Sequence, residues 1–125
     1  MVDNDEKEEY PEETIGEIHV SDDVLIDIAC TALTKVDGIS LPSKKNLKRL
    51  KKDIKLEREE EGVSFKVEVR IFYGQKVKDV ARAIQKTIME EVHTYTGENI
   101  THVDVYVRDI VSEKEDVEKE EEKGS

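Results

Sequence analysis

From Gly62 to Phe72 the chain reads GVSFKVEVRIF, with Val63, Phe65, Val67, Val69 and Ile71 at every second position. Successive side chains of an extended strand point to opposite faces, so this alternation puts one wholly apolar face on a strand whose other face is Ser64, Lys66, Glu68 and Arg70. Such a strand is stable only if something covers its apolar face. The rest of the chain must supply the elements that cover it and the strands beside it.

Ile54 and Leu56 alternate on a preceding strand, with Glu61-Gly62 at the turn of a hairpin. Residues 14–20, TIGEIHV, are expected as a further strand, with Ile18 and Val20 on one face and Glu17 and His19 on the other. Ser21 then stands at a helix N-cap, followed by Asp22 and Asp23 where the helix dipole favours carboxylates. Leu25, Ile28, Ala29, Ala32, Leu33 and Val36 follow at helical spacing, and Gly38 stops them. Pro42 and Ser43 open a short helix that turns Leu47 and Leu50 inward. A long helix after Tyr73-Gly74-Gln75 carries Val77, Val80, Ala81, Ile84, Ile88, Val92 and Tyr95 on its apolar stripe and stops at Gly97. Asn99 to Arg108 closes the pattern as a strand, Val103, Val105 and Val107 inward, His102, Asp104 and Tyr106 outward. The expected fold is α+β, a two-layer sandwich in the order β-α-β-β-α-β, with a four-stranded sheet and two helices on one face.

The 125 residues suit one domain, and their charge is unevenly placed. Of the net −11, residues 1–13 carry −6 and residues 109–125 carry −5, so the expected domain over 14–108 is balanced. Both ends are expected as acidic disordered tails, too polar to bury enough surface to offset ordering. No apolar run exceeds three residues, against about 20 for a membrane-spanning helix. The start MVDNDEKEEYPEE lacks the basic and apolar stretches of an export signal, and the single Cys30 precludes an internal disulfide, which makes the cytoplasm the expected compartment. Net acidity disfavours indiscriminate binding to nucleic acid.

Chemistry-bearing patterns are sparse. Cys30 has no histidine within a helical turn, so it reads as a packed thiol. His19, His93 and His102 lack ligand spacing, and Gly74 is a lone glycine, so neither a metal, a cofactor nor a catalytic residue is expected. If the first and last strands are neighbours, His19 and His102 meet on the outer sheet face, with Glu68, Arg70 and Tyr106 around them. That face suits partner docking better than catalysis, because nothing supplies a pocket. The strongest electrostatic feature is Lys44, Lys45, Lys48, Arg49, Lys51, Lys52 and Lys55, a basic patch able to contact a partner, anionic lipid or phosphate. An RNA-binding module using residues 44–55 is the alternative reading, weakened by the absence of interleaved aromatics.

The ordered residues resemble the bacterial alkaline shock proteins, or envelope stress response proteins. The likeness runs through Ile18-His19-Val20-Ser21-x-x-Val24-Leu25-x-x-Ile28-Ala29-x-x-Ala32, Val36-Asp37-Gly38-Ile39, Tyr73-Gly74-x-x-Val77-x-x-Val80-Ala81-x-x-Ile84-Gln85, Tyr95-Thr96-Gly97-x-x-Ile100 and Val103-x-Val105-x-Val107. The resemblance implies a non-enzymatic interaction or scaffold protein at the cytoplasmic face of the membrane. It also implies recruitment by a membrane-anchored protein partner, and a homo-oligomer is a further expectation.

Overall fold

The structure, a computed structural model, describes residues 15–112, so the acidic segments expected at 1–13 and over most of 109–125 lie outside the described residues. In chain order it contains α1 (Asp22–Leu33), a 3₁₀ helix (Lys44–Asp53), β1 (Ile54–Glu59), β2 (Gly62–Phe72), α2 (Val77–Thr96) and β3 (Ile100–Val111). The Ser21 hydroxyl caps α1 by accepting from the Val24 N–H at 3.3 Å, as its position in the sequence requires.

This is an α+β fold with a three-stranded mixed sheet in the order β1-β2-β3. β1 and β2 form the expected antiparallel hairpin, with Ile54 opposite Val67 and Leu56 opposite Phe65. β2 and β3 run parallel, joined through α2, with Phe65 beside Val103 and Val67 beside Val105. β2 is thus central, and its apolar face packs with Leu25 and Ala29 of α1 and Ile84 and Ile88 of α2 in one buried cluster.

The fourth strand expected over 14–20 is absent from the described residues, which include 15–20. Both neighbours of β2 are already in place, and the Val20 carbonyl accepts from Arg58 Nη2 of β1 at 2.9 Å, which holds the chain on the β1 side as it enters α1. Ile18 is left 92% exposed. Two other expectations change as well. Tyr95 is not part of the core, being 67% exposed. The last strand continues past Arg108 to Val111, with a register shift that puts Val69 beside Val107 but Arg70 beside Asp109.

The short helix after Pro42 is a 3₁₀ helix, and its sequence shows why. Leu47-Lys48-Arg49-Leu50-Lys51-Lys52 repeats every three residues, and side chains three apart eclipse in a 3₁₀ helix. Leu47 and Leu50 make one apolar ridge, Lys48 and Lys51 a second line, Arg49 and Lys52 a third. Leu50 is buried in the core and Leu47 packs against it.

Candidate docking site

The two basic lines of the 3₁₀ helix face different surroundings. Lys48 and Lys51 border a shallow, mostly apolar cleft of about 220 Å³ against α1, which also holds Cys30. Lys51 is committed to Asp27 of α1 at 2.8 Å, a hydrogen-bonded pair that raises the lysine's pKa. Arg49 and Lys52 line a larger cleft of about 390 Å³, whose other wall is the end of the open sheet face. Glu68, Arg70, Arg108 and Asp109 stand there, with Asp53 and Ser40 between the walls. The side chains of Lys44 and Lys45 lie outside the described set. Lys55 is exposed on β1 opposite Lys66, away from either cleft lining.

Sheet register explains the cleft's far wall. Alternation turns Glu68 and Arg70 of β2 to the uncovered face, and the register shift after Val107 leaves Arg108 as an extra residue of β3. Its guanidinium donates to Glu68 Oε1 at 3.3 Å on that face. Lengthening the edge, Ile39 forms a bridge to Ile71 beyond the end of β1, with Ser40 N–H donating to the Arg70 carbonyl at 2.8 Å. The chain after Gly38 thereby forms the side of the cleft between sheet and 3₁₀ helix.

Four of the five residues expected on the outer sheet face take their places: Glu68, Arg70, His102 and Tyr106 all lie on the strands' open side. His19 does not join them. It belongs to the segment that forms no strand, and its Nε2 pairs with Glu17 at 2.9 Å, both side chains being largely exposed. The His19–His102 constellation therefore has no sheet register to create it. His102 instead faces Asp104, with Nε2 at 3.9 Å from the carboxylate. Beside it, the Thr101 hydroxyl donates to Glu59 at 2.6 Å, and this bond chiefly holds the Glu59 carboxyl below its ordinary pKa. Among the described residues no group of three or more His, Cys, Asp or Glu is arranged to hold a metal ion, and no helix is long and apolar enough to cross a membrane.

Residue-level reading of the sequence missed Arg108, Asp109, Asp53 and Ser40 as lining of the cleft. Arg108 continues the outward alternation of His102, Asp104 and Tyr106, whereas only the register shift after Val107 sets Asp109 beside Arg70.

Cys30 is set apart from this chemistry. Burial, followed by the charge of Asp27, pushes its thiol from the ordinary 9.0 up to about 11. The folded chain therefore keeps a proton that the unfolded chain releases near 9, so stability from this group is full below pH 9 and is lost between pH 9 and 11. Cys30→Ala should flatten that part of a stability–pH curve measured by urea unfolding. An equally steep decline in the variant would contradict the assignment.

Fold and surface together define a small α+β protein whose distinctive feature is a charged cleft between a 3₁₀ helix and an open sheet face. A family model described as "Asp23 family, cell envelope-related function" matches residues 10–112. An uncharacterized protein of Streptococcus pyogenes serotype M6 is 39% identical over 109 residues, 82% of this chain and 84% of that relative. No solved structure matches the chain. The chain belongs to the Asp23 family, the alkaline shock proteins that its motifs resemble; the family name has no connection with residue 23.

Proposed function

We propose that this protein is a non-enzymatic docking module held at the cytoplasmic face of the cell envelope by a membrane-anchored protein partner. The observation that carries this reading is the convergence of two surfaces, the Arg49–Lys52 line and the open sheet face, on one cleft. Its lining alternates cations with Asp53, Glu68 and Asp109, a pattern that suits a protein surface of mixed charge better than the uniform negative charge of RNA or an anionic bilayer. The envelope-related role of the family supports the location.

Mild crosslinking of native cells followed by sedimentation tests this reading. The unaltered chain should be recovered with the envelope, joined to a membrane protein. Arg49→Glu with Lys52→Glu should lower that recovery on the order of tenfold, the scale of losing about 1.4 kcal/mol of docking energy. Lys48→Glu with Lys51→Glu should lower it less, because Lys51 is spent on Asp27. Equal recovery of all three proteins would remove the cleft from the mechanism.

A further inference from the structure

β3 is the long edge strand of the sheet, and among the described residues no strand pairs with its outer side. Exposed edges recruit other strands unless they are short, charged or covered. β1, the opposite edge, is short and bears Lys55, Glu57, Arg58 and Glu59. β3 is twice as long and carries half-buried Val105 and Val107 between its charges Asp104, Arg108 and Asp109. Gln85 of α2 donates to the Val103 carbonyl at 3.0 Å, so Val103 directs its backbone outward. By alternation Val105 and Val107 do the same, and their outward groups meet no described strand. Gln85 belongs to the α2 line Val77–Ala81–Gln85, which therefore overhangs this edge, with Val77 37% exposed.

A segment with the matching pattern lies unpaired elsewhere. Residues 15–20 put Ile18 and Val20 on one face and Glu17 and His19 on the other, yet they join no described strand and Ile18 is 92% exposed. The same copy cannot bring them to its own β3: Val20 is bonded to Arg58 on β1, at the far side of the sheet, about 14 Å from a strand beyond β3. We infer that residues 15–20 of one copy add as an antiparallel strand to the outer edge of β3 in a second copy.

In this register Ile18 lies against Val107 beneath the α2 overhang. Glu17 meets Arg108 and His19 meets Tyr106 on the open face. Pairing in this window leaves the Gln85 bond to Val103 intact, whereas a parallel strand matching His19 to Asp104 would displace it. Two β3 edges cannot take each other instead. They would stand about 4.8 Å apart, and the α2 helices above them would approach more closely than the 8–10 Å that helix packing needs. The inference is independent of what docks in the charged cleft.

Directly opposed residues in the non-hydrogen-bonded position have Cα atoms about 4.5 Å apart, within disulfide range. A His19→Cys chain and a Tyr106→Cys chain, each also carrying Cys30→Ala, should give a mixed covalent dimer when oxidised together. Both sites are exposed, so the folded state tolerates the changes, and circular dichroism verifies it. Adding Ile18→Asp to the His19→Cys chain should lower the yield about tenfold. Any of three results would overturn the inference. They are no mixed dimer, self-crosslinking of Tyr106→Cys alone, or ring closure within a single chain carrying both cysteines.

Discussion

Phe65→Ala is expected to destabilise the domain by about 3–5 kcal/mol, a large part of the 5–15 kcal/mol typical of whole domains. Phe65 is fully buried at the middle of the central strand, with Leu56 opposite it on β1 and Val103 beside it on β3. Truncation removes the ring's transfer energy and leaves a cavity bounded on both sides by strands whose positions are fixed by backbone hydrogen bonds, so the site cannot collapse to fill it. Urea unfolding measures the effect as a lower midpoint at little-changed slope. A loss under about 1 kcal/mol would mean that this position is not the packing centre the fold makes it.

Gly62→Ala should cost about 2–4 kcal/mol for a different reason. Gly62 has φ +155°, and a Cβ there would collide with the backbone carbonyl of Asn99. That carbonyl accepts from the Val63 N–H at 2.9 Å, while the Asn99 side chain donates to the Glu61 carbonyl at 2.7 Å. The hairpin turn and the entry to β3 are thus tied at one point, and the added methyl pushes them apart. Gly74→Ala is the matched comparison. It also has positive φ, but nothing lies within 4 Å of its added Cβ, so only backbone strain of about 1–2 kcal/mol is expected. Equal losses at the two positions would show that contact with Asn99 is not what constrains Gly62.

Much of the architecture is legible in local patterns. The Ser21 cap, the α1 and α2 stripes and the β1–β2 hairpin are each written in a few neighbouring residues, and the structure follows them. What fails to show locally is which strands become neighbours. Residues 14–20 have the alternation of a strand, but alternation says nothing about whether a partner edge is free, and in this chain β1 and β3 flank β2. The 3₁₀ geometry was available in the triplet repeat of residues 47–52, a period that helix and strand templates both overlook. The basic residues were plain in the sequence. Their division into a line held by Asp27 and a line facing the cleft depends on packing against α1, so it emerges only in three dimensions. Asp109 comes beside Arg70 through a register shift, which no side-chain pattern announces.

Docking through the cleft is decided by placing a photo-crosslinking side chain at Lys52 and, separately, at the exposed Lys86 of α2, in otherwise unaltered cells. Illumination should join the chain to an envelope membrane protein from position 52 and not from position 86. Crosslinks from 86 alone, or a chain wholly recovered in the soluble fraction from both positions, would contradict it.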